Sequence, residues 1–426
     1  MSAESYLLRN GTVYFPEEKT LRKADIIIEN GSINRIQESI QPQEGIQIIE
    51  ADGKIITPGF TDLHTHLREP GREDAETLES GAMAALAGGF TTICAMPNTE
   101  PATDSREQAD FIRNKSKALG LAEILPIGSA TKGRRGEEIS EYALLKEGGV
   151  VALSDDGDWI RSAEVMRHAL EYAGMLGLPV ITHAEEPTLC EGGVMNEGKV
   201  STILGLKTRP PVAEEIALKR DIALAAYTES HLHVAHLTTG TGVALIEEAK
   251  SKGIRVTAEV TPHHLLLADE SMFSFDANLK VNPPLRTEQD RKSLLKAITE
   301  GLIDAIATDH APHPVEEKEQ ELDIAPSGMI GLQTAFSLLW ENLVDKSILK
   351  PETLLGLLTT GPASVIGRKV ELREGLIVNL VLFDPEARWV LDNSTNRSRS
   401  RNTPWFGKTL KGKVEAVFLA DKKFSF

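Results

Sequence analysis

Cysteine is scarce in this chain of 426 residues, which contains only Cys94 and Cys190. Two cysteines cannot build a disulfide framework, and they cannot supply a cysteine-rich zinc site. We therefore expect both thiols to be reduced and mostly buried, as is usual in a cytoplasmic protein.

Long apolar runs and an export signal are also missing from the sequence. No run of about 18 apolar residues occurs, which argues against a transmembrane helix. The first residues, MSAESYLLRNGTVYF, lack a basic segment followed by a long apolar one, so no signal peptide is expected. These absences predict a cytoplasmic protein without a membrane partner.

Basic residues are the minority among the charged ones. The chain has 46 lysines and arginines against 63 aspartates and glutamates, which gives a net charge of −17. Because such a chain repels a phosphate backbone, we do not expect a nucleic-acid partner. A small anionic substrate is not excluded, since the local charge of a site can oppose the overall sign.

The two ends of the chain share a strand-like pattern. Asn-Gly pairs at Asn10–Gly11 and Asn30–Gly31 stand between apolar segments, which is typical of β-hairpins. Similar apolar runs recur near the C-terminus, in GLIVNLVLFDP and KVEAVFLADKKFSF. We therefore expect one small β-sandwich domain assembled from residues 1–56 and 368–426.

The middle of the chain, residues 57–367, alternates strand-like and helical segments. Eight candidate strands with helices between them predict an α/β fold, a (β/α)8 TIM-type barrel that forms the catalytic domain. A doubly wound open sheet is the alternative, because alternation alone does not distinguish a closed sheet from an open one.

Nearly all of the eleven histidines lie at the end of a predicted strand. His64 and His66 are two residues apart, so they share one face of their strand and together can hold a metal ion. Other strand ends carry Asp155, Asp156, His183, His231, His233, His236, Asp309, His310 and His313. Because the carboxyl ends of barrel strands converge on one face, this pattern predicts a two-metal hydrolytic site. Imidazole and carboxylate ligands without thiolate favour Zn²⁺.

A two-metal site of this kind hydrolyses an amide by a known route. A water shared by two cations about 3.5–4 Å apart loses a proton near neutral pH, and the hydroxide attacks a polarised carbonyl. A nearby carboxylate then passes the proton to the leaving nitrogen.

Eight motifs in a fixed order carry a resemblance to a known family. They are DLHTHLREPG, MPNTEP, ITHAEE, VAHLTT, TPHHL, VNPPLR, ATDHAPH and NTPWFGKTLKGKV. Together they resemble the dihydroorotases of the bacterial long-chain class (type I), in the amidohydrolase superfamily. The resemblance spans nearly the whole chain. It implies reversible cyclisation of N-carbamoyl-L-aspartate to L-dihydroorotate in de novo pyrimidine (UMP) biosynthesis.

The resemblance also implies two zinc ions per subunit and the residues that hold them. The implied ligands are His64 and His66 for one ion, His183 and His236 for the other, with Asp156 as the bridge and Asp309 as a further ligand. Asp309 would also be the catalytic general acid/base. The choice of Asp156 over Asp155 rests mainly on the resemblance. Many relatives use a carbamylated lysine as the bridge, but GGVVALSDDGDWI contains no lysine.

A substrate-binding set follows from the same motifs. Arg68 suits a ring carboxylate because a guanidinium is always charged and binds in a bidentate manner, although a salt bridge to Glu69 would be its ordinary role. The resemblance implies further substrate contacts from His66, Asn98, Asn282, His313, Ser327 and Gly328. Asn282 would otherwise fix a turn before two prolines, and His263 and His264 are expected to be packing or supporting residues.

Two other functions stay open at this point. One is an allantoinase or hydantoinase type of cyclic amide hydrolase, and the other is an inactive, metal-free partner of aspartate transcarbamoylase. The Arg68–Asn98 pair favours a ring with a carboxylate, and the complete set of implied ligands argues against an inactive chain. A homodimer and an association with aspartate transcarbamoylase are both compatible with the resemblance.

Overall fold

The computed structural model describes residues 5–426, so the first four residues of the predicted β domain and of the MSAESYLLRNGTVYF segment lie outside the described residues. The N-terminal strands are β1 (Tyr6–Phe15), β2 (Thr20–Glu29), β3 (Ser32–Gln37), β4 (Gln47–Glu50) and β5 (Ile55–Pro58). β1 pairs with β2, β4 and β5, and β2 pairs with β3.

Only one of the two Asn-Gly pairs forms a hairpin turn. Asn30 and Gly31 both have positive φ and join β2 to β3, as a tight hairpin requires. The prediction for Asn10–Gly11 is wrong, because β1 runs straight through this pair and only its register against β2 shifts there. Asn10 has a positive φ, and its N–H donates to Asp25 Oδ1 at 2.6 Å, which stabilises a bulge instead of a turn.

The barrel strands follow in chain order. They are β6 (Phe60–Thr65), β7 (Phe90–Ala95), β8 (Glu123–Pro126), β9 (Gly128–Ser129), β10 (Leu153–Ser154), β11 (Val180–Thr182), β14 (Leu232–Val234), β15 (Val256–Val260) and β16 (Ala305–Ile306). Two short strands outside the barrel, β12 (Met195–Asn196) and β13 (Thr208–Arg209), pair with each other. β8 pairs with β7 and β9 pairs with β10, so these two segments together take the third of eight positions.

A parallel contact between Thr65 and His310 closes the barrel. His66 N also donates to His310 O at 2.8 Å, which ties the first strand to the segment after the last one. The predicted TIM-type barrel is therefore confirmed, and the open doubly wound sheet is wrong because the first and eighth positions meet.

Helices connect the barrel strands and cover their outer side. They are α1 (Leu78–Ala87), α2 (Arg106–Leu119), α3 (Tyr142–Glu147), α4 (Ala163–Leu176), α5 (Lys199–Leu204), α6 (Val212–Thr228), α7 (Gly240–Ser251), α8 (Pro262–Leu266), α9 (Glu288–Thr299), α10 (Val315–Lys318), α11 (Ala335–Leu339), α12 (Pro351–Leu358) and α13 (Thr360–Val365). α4 shows how the sequence sets such a helix. The Ser162 hydroxyl accepts from Val165 N at its start, and Gly177 ends it at a φ of 68°.

The last three strands return to the N-terminal sheet. They are β17 (Asn379–Val390), β18 (Thr409–Leu419) and β19 (Lys422–Ser425). β17 pairs with β5, so both chain ends share one eight-stranded sheet. Tyr6 on β1 and Phe418 on β18 are three strands apart, about 14 Å in a flat sheet, yet their ring centres are 5.4 Å apart. The sheet therefore curls over its own apolar face, as in a sandwich.

Within residues 5–426, no helix is long and apolar enough to cross a membrane. Cys94 and Cys190 are both free and buried.

Candidate metal centre and substrate pocket

Six side chains from five barrel strands gather at the carboxyl ends of those strands. His64 lies in β6 and His66 directly follows it, Asp156 follows β10, His183 follows β11, His236 follows β14 and Asp309 follows β16. All six are buried. The barrel thus brings together residues that are up to 245 positions apart in the chain.

One group consists of the two β6 histidines and Asp156. Asp156 Oδ2 lies 3.2 Å from His64 Nε2 and 3.4 Å from His66 Nε2. Asp309 Oδ1 approaches the same two nitrogens, at 3.5 Å from His64 and 3.0 Å from His66. The His64, His66 and Asp156 atoms are close enough to hold one cation.

The second group uses the other oxygen of Asp156. Asp156 Oδ1 lies 3.6 Å from His183 Nδ1 and 3.4 Å from His236 Nε2. The two imidazole nitrogens are 2.9 Å apart. Each carboxylate oxygen of Asp156 therefore faces one pair of histidines, which is the arrangement that a bridge between two cations needs.

The residues fit metal ions on their own chemistry. Among the described residues, His64 Nε2 and Asp156 Oδ1 are buried atoms without a hydrogen-bond partner, which is costly unless another group satisfies them. The close approach of His183 Nδ1 and His236 Nε2 is also explained if the lone pairs of both nitrogens point at one ion. Nitrogen and carboxylate donors without a thiolate suit Zn²⁺.

The two aspartates are held as carboxylates. Burial alone would raise the pKa of Asp156, but His64, His183 and His236 hold it well below its usual value. Burial would also raise the pKa of Asp309, and there His64 and His66 outweigh it and lower the pKa. Both side chains are therefore negatively charged at neutral pH.

Asp155 is directed away from the histidines. Its carboxylate accepts hydrogen bonds from Ser129 Oγ at 3.0 Å and Thr131 N at 2.9 Å, and from the Thr131 hydroxyl. Asp155 thus fixes the loop after β9, whereas its neighbour Asp156 reaches the centre.

Two further acids support the centre from the barrel interior. Asp62 accepts from the backbone N–H of His64 at 3.0 Å and of Thr308 at 3.2 Å, which ties β6 to the segment that carries Asp309. Burial raises the pKa of Asp62 to about 7. Glu259 on β15 lies 2.9 Å from His64 Nδ1. Sequence reasoning missed Glu259, although its spacing from Thr257 in VTAEV places both on one face of the strand.

Arg68 lies on the side of the centre where a substrate carboxylate was expected. Its Nε donates to Pro312 O at 3.2 Å, and its Nη2 is 3.4 Å from His313 Nε2. Within residues 5–426 Arg68 forms no ion pair, and Glu69 instead pairs with Lys115. Burial lowers the pKa of Arg68 to about 10, so the guanidinium stays charged and available at neutral pH.

Asn98 lies beside His66, and the loop that carries His313 lies beside Arg68. Asn98 Oδ1 is 2.9 Å from His66 Nδ1, so the two predicted contact residues touch each other. His313 Nε2 donates to Ser327 O at 2.9 Å. Gly328 has a φ of 133°, a conformation that favours glycine, and a Cβ there would meet Ala311 Cβ at 2.7 Å.

Asn282 lies on the other side, beside His183. Asn282 Nδ2 is 3.3 Å from His183 Nε2, and Asn282 Oδ1 accepts from Arg209 Nη1 at 2.7 Å. These three residues and Glu185 border a cavity of about 410 Å³. Arg209 and Glu185 were not predicted. Arg209 comes from β13, outside the barrel, so no strand-end argument could find it.

Two other histidines, His264 and His310, form hydrogen-bond contacts that hold neighbouring segments in place. His264 Nε2 donates to Pro283 O at 3.0 Å and so holds the segment after Asn282. His310 lies between Glu76, at 3.2 Å from Nε2, and the backbone of Gly331.

Comparisons with known proteins agree with this architecture. A family model described as dihydro-orotase-like matches residues 53–241. The chain is 44% identical over 415 residues to a protein named dihydroorotase from Thermoanaerobacter sp., covering 97% of this chain and 95% of that one. It is 45% identical over 409 residues to the dihydroorotase of Aquifex aeolicus, covering 96% of each.

Solved structures show the same fold at lower identity. The L-hydantoinase of Arthrobacter aurescens superposes with a TM-score of 0.86 at 24% identity, covering 99% of this chain and 96% of that one. The dihydropyrimidinase of Brevibacillus agri superposes with a TM-score of 0.82 at 24% identity, covering 98% of this chain and 94% of that one.

Proposed function

Since the chain belongs to the dihydroorotase family and is a cyclic amide hydrolase, we propose how its residues carry out the reversible cyclisation of N-carbamoyl-L-aspartate to L-dihydroorotate in pyrimidine biosynthesis. The observation that carries the assignment of roles is the Arg68 guanidinium, which has no ion-pair partner within residues 5–426 and lies near the two histidine pairs that share Asp156.

We propose that two zinc ions bind in each subunit. His64, His66, Asp156 and Asp309 would hold one ion, and Asp156, His183 and His236 the other. When bound, the ions supply an activated water and polarise the amide carbonyl that is attacked. The proposal is supported by the two oxygens of Asp156, each of which faces a separate histidine pair.

Asp309 is proposed as the general acid/base. Its carboxylate is charged, and its Oδ1 lies 3.0 Å from His66 Nε2 and 3.5 Å from His64 Nε2. In ring opening it takes a proton from the attacking water and gives it to the departing ring nitrogen as the amide C–N bond breaks. In ring closure it takes a proton from the ureido nitrogen and gives it to the departing carboxylate oxygen, which leaves as hydroxide and takes up a second proton from solvent to become water.

Arg68 and Asn98 are proposed to bind the carboxylate that both substrate and product carry. A guanidinium without another anionic partner is free to form a bidentate contact with it. Asn282, His313 and the Ser327–Gly328 backbone are proposed to contact the ring and its polar edges.

A substrate panel tests this assignment. The zinc-loaded protein should open dihydroorotate far faster than it opens allantoin or hydantoin, which lack the ring carboxylate. If allantoin or hydantoin were the preferred substrate, the roles given to Arg68 and Asn98 would be wrong.

The cellular location and the assembly of the protein are also proposals. The two buried free thiols are compatible with the cytoplasmic location that we propose. A homodimer and an association with aspartate transcarbamoylase stay predictions, which light scattering on the protein alone and on the mixture would test.

A further inference from the structure

A continuous series of polar side chains runs through the barrel from the metal centre toward the opposite end of the strands. His64 Nδ1 lies 2.9 Å from Glu259 Oε1, and Glu259 Oε2 lies 3.1 Å from His233 Nε2. Thr257 Oγ1 then lies 2.8 Å from both His233 Nδ1 and His231 Nε2. We call these five residues the interior polar chain. Apolar side chains normally fill such a barrel, so this series calls for an explanation.

Strand register places these side chains in one line. His233 on β14 pairs with Thr257 on β15. His231 and Glu259 each lie two residues from one of this pair, so all four side chains point the same way, into the barrel. The alternate residues of β14 belong to the apolar layer beneath the helices. His231 precedes β14, whereas Glu259 is near the carboxyl end of β15, so the line follows the strand direction.

With one proton on each imidazole, the available protons fix the direction of every bond in the interior polar chain. A carboxylate accepts only, so Glu259 receives Nδ1–H from His64 and Nε2–H from His233. His233 then keeps a lone pair on Nδ1, which accepts the hydroxyl proton of Thr257. Because Thr257 has no second proton, it accepts Nε2–H from His231. One arrangement therefore satisfies all four contacts.

The same arrangement determines which nitrogen of His64 is free. With the proton on Nδ1, the lone pair is on Nε2, the atom that lies 3.2 Å from Asp156 Oδ2. We propose that Glu259, His233 and Thr257 are positioning residues that hold His64 in this tautomer and ring orientation, so that its Nε2 is ready to bind a cation. Partners of this kind usually change metal affinity when they are removed.

This inference rests on the proposed function only in taking His64 as a metal ligand. It does not depend on which cyclic amide is the substrate. The measured quantity can therefore be zinc affinity, obtained by competition between the full-length protein and a chelator, rather than catalytic rate.

Thr257→Val is the most informative variant. Valine keeps the shape of threonine but lacks the hydroxyl, and Thr257 touches none of the proposed ligands. We expect zinc affinity to fall several-fold in Thr257→Val and to stay at the wild-type value in Thr257→Ser. Thr92→Val, a change of a buried threonine on β7, which pairs with β6, should leave affinity unchanged.

Glu259→Gln tests the contacts of Glu259 with His64 and His233. Glutamine has one accepting oxygen, so it cannot accept from both imidazoles, and we expect zinc affinity to fall by about 10–100-fold. In ¹⁵N-histidine spectra of the zinc-loaded wild-type protein, His64 should carry its proton on Nδ1 and His233 on Nε2. In Glu259→Gln, which loses one of the two accepting oxygens, His233 should become a mixture of tautomers.

Two results would overturn the inference. One is wild-type zinc affinity in Thr257→Val together with lowered thermal stability, which would show that the interior polar chain only fills the core. The other is a zinc-loaded spectrum in which His64 carries its proton on Nε2. If Glu259→Gln does not fold, the valine and serine variants of Thr257 and the spectra still decide. A protein that binds zinc normally but does not open dihydroorotate would contradict the proposed function and leave this test intact.

Discussion

Arg209 Nη1 donates a hydrogen bond to the side-chain oxygen of Asn282, with 2.7 Å between Nη1 and Oδ1. Because that oxygen is occupied, the amide presents its NH₂ group toward His183 and the cavity. A ligand edge that meets Asn282 should therefore be a hydrogen-bond acceptor, such as a ring carbonyl.

This relationship gives a prediction for Arg209→Met. A hydrogen bond to a charged donor contributes about 1.5 kcal/mol, so KM for dihydroorotate should rise about tenfold while kcat changes less. Arg161→Met, which removes another cation from the same cavity wall, is the matched control and should have little effect. Equal effects of the two changes would indicate that only the charge of the cavity matters.

Asp156 and Asp155 should respond oppositely to the same substitution. Asparagine offers one oxygen instead of two, so Asp156→Asn should retain at most one zinc per subunit and lose about a thousandfold or more in kcat/KM. Asp155→Asn should keep its zinc and instead lower the free energy of unfolding by about 1–3 kcal/mol, because Ser129 and Thr131 lose one of the two oxygens that accept from them. Metal analysis and urea denaturation check both. Zinc loss in Asp155→Asn would show that the two roles are assigned the wrong way round.

Arg68→Gln should affect substrate binding without affecting the metals. A bidentate contact between a guanidinium and a carboxylate contributes about 3 kcal/mol, so kcat/KM for dihydroorotate should fall about a hundredfold. Zinc content should stay at the wild-type value. Arg72→Gln is the control, since Arg72 pairs with Asp74 and Glu317 on the protein surface. A loss of zinc in Arg68→Gln would mean that the residue supports the centre instead.

Lys318 should make stability depend on pH. Its buried ammonium donates to Pro326 O at 2.8 Å and Gly328 O at 3.0 Å. Burial, with a further contribution from Lys280, lowers its pKa to about 7, whereas the pKa in the unfolded chain is about 10.4. Between about pH 7 and 10 the unfolded chain therefore binds more protons than the folded one, so the free energy of unfolding should rise with pH.

The measurement is urea denaturation at several pH values in that window. The rise should be smaller in Lys318→Met than in the wild type, whatever the absolute stability of the variant. Lys292→Met, a change of an exposed lysine, should keep the wild-type slope. Parallel slopes for the wild type and Lys318→Met would contradict the assignment.

The candidate centre was largely predictable because its residues follow strand ends, and strand ends converge in a barrel. The choice between Asp155 and Asp156 was not, since the loop after β10 decides which carboxylate turns inward. Glu259 could be found only once the inward face of β15 was known. Arg209 comes from a short strand outside the barrel, and no periodic pattern points to it.

The fold, like the candidate centre, has parts that the sequence predicts and parts that it does not. The joint sheet of both chain ends follows from apolar alternation that recurs at both termini. The hairpin prediction at Asn10–Gly11 was wrong because a positive φ at one residue occurs in a bulge as well as in a turn. Only the strand that pairs with the segment distinguishes the two. Asn30–Gly31 has positive φ at both residues and forms the turn.

The central claim is that Asp156 joins two cation sites at the mouth of the barrel. Anomalous diffraction at the zinc edge, from crystals grown with zinc, tests it most directly. We predict two peaks per subunit about 3.5–4 Å apart, one beside His64 and His66 and one beside His183 and His236, with Asp156 between them. A single peak, or two peaks that do not share Asp156, would contradict the account.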